Sequence, residues 1–561
     1  MLPIVFTVLL ATFSIPIYCV PVCENPTICY TDGCIQGKVF QEELYEAYLG
    51  IPYAQPPVGN LRFSNPIPVK PWSGLLNATV TKPDCIQKNV LLPNAVASGS
   101  EDCLYLNVYR PVNIPATKRL PVMVFIHGGG FFAGSAGPSM VGPQHFMENG
   151  EVILVSMAYR LGVFGFLSTG DNHCPGNFGL KDQTLALRWV KSNIRAFGGD
   201  DNEITIFGVS AGGAAVQMHM MSPLSQGLFH RGIIMSGSAI APYNEPTKNP
   251  SCQAKKQGRA VGIQYINNKD LITKLRKIDA FKLLDSVDGL KTWSVDPLTY
   301  YRPVIESNRS DAFMVQDPRI TWRTGQFQHI PFMTGVVVRE GAVRASAIVT
   351  NQPLLDDLNA NLKDLLPKLM EIEMKTKRKS NELFEKLKNF YLNGTDIVNE
   401  DNRLGFIDMF SDRAFVYPYY KTVQNYIQYA DTERHPVSLY RFAFKGPISY
   451  SLAYTGTNID IGVVHLDDTL YLLGSLFPPF PKNSIYSNLT KTMVSFYVSF
   501  AKNGRPMHLS KDAVNECTKF HKGQFCDYQE FSNSDDEIGF EVRTKNNFDC
   551  RMVNFWDNIL H

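Results

Sequence analysis

Residues 205–215 read TIFGVSAGGAA, an apolar run that passes through Gly-x-Ser-x-Gly into a run of small residues. Between a buried strand and a helix, this pattern predicts a tight turn that lifts the Ser210 hydroxyl clear of a sheet. Gly208 and Gly212 lack Cβ atoms, so the strand and the helix can pass close together. The same five-residue pattern also arises by chance in a chain of 561 residues. The surrounding sequence therefore has to distinguish a reactive serine from an ordinary turn.

Segments typical of strands and helices alternate around this turn. Residues 120–130 (LPVMVFIHGGG) and 151–160 (EVILVSMAYR) are strand-like and apolar on both faces, and 181–199 is helix-like and ends at a glycine pair. Continuously apolar strands between helices indicate a mostly parallel sheet that is covered on both faces. We therefore expect an α/β fold with a large central, mostly parallel sheet flanked by helices. No linker divides the chain, so residues 20–561 are expected to form one domain, with a long helical stretch at 351–392.

A serine hydroxyl is a weak nucleophile at neutral pH and needs a base, an acid that orients the base, and donors for an oxyanion. The glycines of FIHGGGFFAGS (125–135) expose bare backbone N–H groups, although a simple glycine-rich turn is the alternative. His465 lies in a loop that follows a short apolar run, and it is the candidate base. Glu340 ends the strand-like run in FMTGVVVREGAVR (332–344) and is the candidate acid, with a solvated surface glutamate as the alternative.

The N-terminus predicts export from the cell. Residues 1–19 form a short apolar run that resembles a secretory signal peptide, with an uncleaved anchor as the alternative. No later run is long enough to span a bilayer, and the C-terminus carries no lipid-anchor or retention signal. We therefore expect a secreted, extracellular protein without a stable membrane anchor, in which disulfides can form. Four Asn-x-Ser/Thr triplets are candidate glycosylation sites: Asn77, Asn308, Asn393 and Asn488.

Charge and cysteine spacing exclude several classes of partner. The net charge of +2 gives no reason to expect nucleic acid or an anionic membrane. The eleven cysteines show no Cys/His spacing typical of zinc, so we expect no bound metal. These observations leave the small-molecule partner and the oligomeric state open.

Seven sequence blocks, in order along nearly the whole chain, resemble the type B carboxylesterase/cholinesterase family, most closely arthropod carboxylesterases. They are YLGIPYAQPPVGNLRF (48–63), EDCLYLNVY (101–109), HGGGF (127–131), AYRLGVFGFLS (159–168), PGNFGLKDQ (175–183), FGGDDNEITIFGVSAGG (197–213) and GVVH (462–465). Several blocks in a fixed order are far more specific than one Gly-x-Ser-x-Gly. The resemblance implies an α/β-hydrolase fold and a serine carboxylesterase that needs no cofactor.

The resemblance also implies roles for individual residues. The nucleophile, acid and base would be Ser210, Glu340 and His465. The oxyanion would be bound by the backbone N–H groups of Gly129, Gly130 and Ala211. The scaffold would include a disulfide between Cys85 and Cys103 and two buried ion pairs, Arg62 with Glu101 and Arg160 with Asp182. The remaining cysteines allow too many pairings to assign.

Departures from the family pattern bear on the substrate, whose pocket we expect to include Val209, Phe131 and Tyr243. Many relatives carry an acidic or amide residue in place of Val209. Residues 90–100 lack the Trp of relatives that hydrolyse choline esters, so a cation–π site is missing. We therefore expect the substrates to be carboxylic esters that are uncharged and apolar. A juvenile hormone esterase or an odorant- or pheromone-degrading esterase is the alternative, and a catalytically idle adhesion or sequestering protein is the non-enzyme alternative.

Overall fold

The structure is a computed structural model that describes residues 25–40, 44–92, 94–112, 114–115, 117–457, 459–474, 479–511, 517, 526–536, 539–546 and 548–560. The predicted signal peptide at residues 1–19 lies outside the described residues. In the described ranges, no helix is both long enough and apolar enough to cross a membrane.

Two sheets contain the strands of the described ranges. In chain order the strands are β1 (Thr27–Tyr30), β2 (Gly33–Gln36), β3 (Lys38–Phe40), β4 (Tyr45–Pro52), β5 (Leu75–Asn77), β6 (Tyr105–Pro111), β7 (Leu120–Ile126), β8 (Ile153–Met157), β9 (Gly199–Val209), β10 (Arg231–Met235), β11 (Phe332–Val337), β12 (Val437–Phe442), β13 (Tyr528–Asn533) and β14 (Phe540–Lys545). The small sheet has the order β1-β2-β5, and the large sheet has eleven strands in the order β14-β13-β12-β11-β10-β9-β7-β8-β6-β4-β3.

The centre of the large sheet is parallel. Neighbouring strands run parallel from β8 through β7, β9, β10, β11 and β12 to β13. The pairs at its two ends, β3–β4, β4–β6, β6–β8 and β13–β14, are antiparallel. Every residue of β8 is buried, which explains why its sequence is apolar without alternation. The predicted large, mostly parallel sheet is therefore confirmed.

Helices flank this sheet and supply most of the connections. They are α1 (Gln144–Asn149), α2 (Gly162–Phe166), α3 (Phe178–Asn193), α4 (Ala211–Met221), α5 (Pro250–Ala260), α6 (Asn268–Leu275), α7 (Ala280–Asp285), α8 (Pro318–Arg323), α9 (Ala342–Val349), α10 (Gln352–Ala360), α11 (Leu362–Leu369), α12 (Lys377–Tyr391), α13 (Arg403–Ser411), α14 (Tyr417–Tyr429), α15 (Ser451–Thr455), α16 (Ile485–Asn503) and α17 (Cys550–Leu560). A π-helical turn, Asp412–Val416, joins α13 to α14. Helix α4 packs against β9 and β10, and α16 packs against β7 and β9.

The long helical stretch expected at 351–392 is instead three helices, α10, α11 and α12. Helix α10 ends at Ala360, and Asn361 separates it from α11. After α11 the chain leaves the helical conformation, and α12 begins where the Thr376 side chain accepts a hydrogen bond from the Lys379 N–H. Helix-like periodicity continues through these breaks because all three helices have an apolar face, so periodicity alone did not reveal the caps.

Disulfides and buried ion pairs brace the loops around the sheet. The disulfides in the described ranges join Cys29 to Cys34, Cys85 to Cys103, and Cys517 to Cys526. Both ion pairs implied by the resemblance are present and bidentate. Arg62 contacts Glu101 at 2.6 and 2.5 Å, and Arg160 contacts Asp182 at 2.8 and 2.7 Å. Removing one partner of such a buried pair typically costs about 3–5 kcal/mol.

Candidate active site

The turn at Ser210 connects the end of β9 to the start of α4, near the middle of the large sheet. Ser210 has φ 60° and ψ −125°, a conformation that a serine holds only when its surroundings impose it. Its N–H donates to the Met235 carbonyl of β10 at 2.8 Å. A Cβ on Gly212 would lie 2.1 Å from the Ile126 carbonyl of β7, so only glycine fits there. The two neighbouring strands thus hold the serine in place.

Glu340 and His465 form a buried pair. Glu340 follows β11, and its Oε1 accepts a hydrogen bond from the Val337 N–H at 2.8 Å. Its Oε2 lies 2.5 Å from Nδ1 of His465, and both side chains are almost completely buried. A carboxylate at Nδ1 keeps the proton on that nitrogen and leaves Nε2 free to accept a proton. The pair therefore has the arrangement of a base and its orienting acid.

Two further groups, which the sequence patterns did not single out for this role, hold the His465 loop. The Asp467 carboxylate accepts hydrogen bonds from the Val464 N–H at 2.9 Å and the Tyr450 N–H at 2.8 Å. Burial raises the pKa of Asp467 to about 7. On the other side, the ring of Phe415 lies 4.8 Å from the imidazole ring, centroid to centroid. Phe415 belongs to the π-helical turn, which has no recognisable motif.

The candidate oxyanion donors are backbone groups without another role. The N–H groups of Gly129 and Gly130 donate to no residue in the described ranges. Ala211 is the first residue of α4, so its N–H has no partner within the helix. The positive end of the helix dipole adds to the attraction for an anion at this point.

Hydrogen bonds and ring stacking hold the glycine-rich loop at residues 125–135 in place. The Gln87 side chain makes two hydrogen bonds to the backbone of Gly134, at 2.8 and 2.7 Å, and the Cys85–Cys103 disulfide lies next to Gln87 in the chain. His127 stacks on Tyr159 with ring centroids 4.3 Å apart. Burial lowers the pKa of His127 to about 4, so this histidine is neutral at neutral pH and serves the scaffold.

A cavity that is partly open to solvent has Ser210 in its wall. Its wall includes Gly130, Phe132, Tyr243 and Phe415, and the rings of Tyr243 and Phe415 are 5.5 Å apart. Ser210 lines this space, and its Oγ makes no hydrogen bond to a described residue, His465 included; catalytic hydrogen bonds are often long before substrate binds. A concave site with mostly apolar walls and a few polar groups is typical of small-molecule binding sites.

Of the three expected pocket residues, only Tyr243 lines this cavity. Val209 is 5% exposed and belongs to the core behind the serine, because successive side chains of β9 point to opposite faces. Phe131 is fully buried against Phe166, at a centroid distance of 5.0 Å. Its φ of 60° turns the chain so that the next residue, Phe132, faces the cavity instead. The HGGGF pattern could not reveal which of the two rings faces the ligand.

Three comparisons place the chain among known proteins. Residues 24–556 match the model of the carboxylesterase family. The chain is 41% identical to a juvenile hormone esterase of Tribolium castaneum over 86% of this chain and 84% of that protein. It is 39% identical to venom carboxylesterase-6 of Apis mellifera over 86% of each chain.

Among solved structures, it resembles the juvenile hormone esterase of Manduca sexta with OTFP covalently attached. The TM-score is 0.79 at 26% identity, covering 96% of this chain and 100% of that one. This neighbour and the large mixed sheet confirm the expected α/β-hydrolase fold. The chain thus belongs to the carboxylesterase family and is a carboxylic ester hydrolase.

Proposed function

We propose that the chain is a secreted serine carboxylesterase that cleaves uncharged, largely apolar esters through an acyl-serine intermediate. The observation that carries the proposal is the buried Glu340–His465 pair, 2.5 Å apart, on the loops beside the cavity that contains Ser210. With Ser210 on a strained turn as the nucleophile, His465 would be the base and Glu340 the acid that orients it. This combination is the requirement for serine-based acyl transfer.

In the proposed reaction, Nε2 of His465 takes the Ser210 proton as Oγ attacks the ester carbonyl carbon. The tetrahedral oxyanion accepts hydrogen bonds from the N–H groups of Gly129, Gly130 and Ala211. The imidazolium, stabilised by Glu340, then donates its proton to the leaving alcohol, and an acyl-serine remains. Water, deprotonated by His465, attacks this ester and releases the acid.

The similar proteins favour a second, more specific candidate function that uses the same chemistry. Two of the compared proteins are juvenile hormone esterases, one at 41% identity and one with a TM-score of 0.79. A juvenile hormone is therefore the first specific ester to test as a substrate. Venom carboxylesterase-6, at 39% identity, shows that close similarity also extends to an esterase with a different name.

Secretion and glycosylation are part of the proposal. Disulfides persist in oxidising compartments, and Asn77, Asn308, Asn393 and Asn488 are all exposed. Expression in insect cells tests both points. Secretion predicts that the protein is found in the medium, and glycosylation predicts a change in its gel mobility after glycosidase treatment. Retention of the whole protein inside the cell would contradict secretion.

Ser210→Ala tests the catalytic assignment. Purified wild-type protein is expected to hydrolyse short-chain p-nitrophenyl esters, and Ser210→Ala is expected to lose this activity while keeping its melting temperature. Wild-type activity in the variant would overturn the assignment. A panel of acyl-chain lengths, a juvenile hormone, a volatile acetate and a choline ester defines the substrate, and efficient turnover of the choline ester would contradict the preference for uncharged esters.

A further inference from the structure

The wall of the active-site cavity contains four charged side chains, of which two carry a negative and two a positive charge. They are Asp296, Arg344, Glu371 and Arg413. Charged groups in a desolvated wall are costly unless they are paired, so their partners indicate what the cavity can bind.

Three of the four have an ion-pair partner. Arg344 contacts Asp296 at 2.5 Å, and this pair is internal to the wall. Glu371 is paired with Arg302, whose two terminal nitrogens contact the two carboxylate oxygens at 2.6 and 2.8 Å. Each of the two carboxylates therefore has an arginine at ion-pair distance.

Arg413 is the exception. It is 8% exposed, and within the described ranges no carboxylate lies at ion-pair distance from it. Its Nε donates to the Met370 carbonyl at 3.1 Å, and its guanidinium lies 5.8 Å from the ring centroid of Trp556. These contacts use one of the five guanidinium N–H groups in a hydrogen bond. The other four are not hydrogen-bonded to any described residue.

Arg413 lines the same cavity as Ser210. Its hydrogen bond to Met370 places the guanidinium beside Met370 and Glu371, which line this cavity as well. The π-helical turn that carries Arg413 also carries Phe415, which packs against His465. Burial lowers the pKa of the Arg413 guanidinium, in line with the cost of holding its charge away from water.

We propose that Arg413 binds an oxygen acceptor at the end of the substrate remote from the reacting carbonyl. The substrate class would then be an uncharged ester with an apolar body and a second oxygen, that of a carbonyl group, at its far end. An acceptor oxygen satisfies the unused N–H groups, which an aliphatic chain end leaves buried and unpaired. This inference rests on the proposed function and adds a specificity-determining residue to it.

The test compares isosteric esters that differ only at the chain end. One series consists of p-nitrophenyl esters of increasing acyl length that end in a methyl group, a methyl ketone or a carboxylate. A second series places the same ends on the alcohol of an acetate ester. In one of the series, wild-type kcat/KM is expected to favour an oxygen-bearing end over methyl by about tenfold to a hundredfold at the length that reaches Arg413.

The same ratio in variants assigns the preference to Arg413. Arg413→Met is expected to bring it to about one, and Arg413→Lys, which keeps the charge without the planar fork, to an intermediate value. Arg378→Met, at a side chain that is 81% exposed, is the matched control and keeps the wild-type ratio. If Arg413→Met does not fold, Arg413→Lys decides the point.

Several results would overturn the proposal. One is equal kcat/KM for all chain ends in the wild type. Another is an unchanged ratio of kcat/KM between chain ends in Arg413→Met or Arg413→Lys. A third is an equal loss of kcat/KM on every substrate in these variants, which would indicate a purely structural role. A higher kcat/KM for the carboxylate end than for the ketone end would contradict an uncharged substrate. Absence of hydrolysis of any ester would instead refute the proposed function itself.

Discussion

Replacing Glu340 by Gln removes one charge from the buried pair and leaves the shape of the site nearly unchanged. The Val337 N–H can still donate to the amide oxygen, as it now does to Oε1 at 2.8 Å. The amide nitrogen then faces Nδ1 of His465, where Oε2 now lies at 2.5 Å. An N–H at that position favours the tautomer with its proton on Nε2, which cannot accept a proton from Ser210.

The expected loss of activity follows from this geometry. Opposite charges about 4 Å apart attract by about 4 kcal/mol at an effective dielectric constant near 20, and this attraction is lost when the imidazolium forms beside an amide. The unfavourable tautomer adds roughly another 1 kcal/mol, so kcat is expected to fall by about 10⁴. KM is expected to change little because Glu340 is fully buried and does not line the cavity.

The assay is steady-state hydrolysis of a p-nitrophenyl ester, with melting temperatures measured on the same preparations. Glu306→Gln is the matched control, since Glu306 is also a buried carboxylate and is paired with Lys181 at 2.5 Å, away from the cavity. That change is expected to lower the melting temperature and leave kcat of the folded enzyme intact. A Glu340→Gln variant that is folded and retains a tenth or more of wild-type kcat would refute the reasoning.

Three further predictions concern the oxyanion loop, a disulfide and a buried acid. Gly129→Ala is expected to lower kcat by about 10²–10³, because φ is 97° and the new Cβ would lie 2.1 Å from the Ala133 carbonyl, which displaces the N–H donors; an unchanged kcat would contradict this. The double variant Cys85→Ser, Cys103→Ser, which opens a loop of sequence separation 18, is expected to lose about 3 kcal/mol of stability in denaturant unfolding, and equal midpoints would contradict a stabilising role. Burial and the nearby Glu340 charge raise the pKa of Asp468 to about 7, so the folded state holds a proton that the unfolded state has released, and stability falls as pH rises from about 4 to 7. Asp468→Asn is therefore expected to raise the free energy of unfolding by up to about 4 kcal/mol near pH 8 and to change it little near pH 4, whereas the opposite pH trend would contradict this.

The fold and the family could be predicted because their signals are local and repeated. Continuously apolar strands such as 120–126 and 153–157 reflect burial on both faces of the sheet, and several blocks appear in a fixed order. The turn at Ser210 is also readable, because Gly208 and Gly212 are required where backbones pass at contact distance.

The lining of the cavity could not be predicted in the same way. Whether Phe131 or Phe132 faces the ligand depends on one positive φ, which the two identical side chains do not encode. Phe415 and Arg413 lie at least 50 residues before His465 in the chain, and both belong to a π-helical turn. A π-helical turn changes the phase of the helix by one residue, so helical periodicity read from sequence assigns the wrong face after it.

The turn at Ser210 has a consequence for how the protein acquires activity. Its backbone conformation is imposed jointly by β7, β9 and β10, which are separated in sequence and come together only when the sheet is complete. A refolding chain with native helix content but a slipped strand would allow the serine to relax to an ordinary conformation. Recovery of ester hydrolysis is therefore expected to lag behind recovery of circular dichroism, which makes enzymatic turnover the stricter reporter of correct strand register.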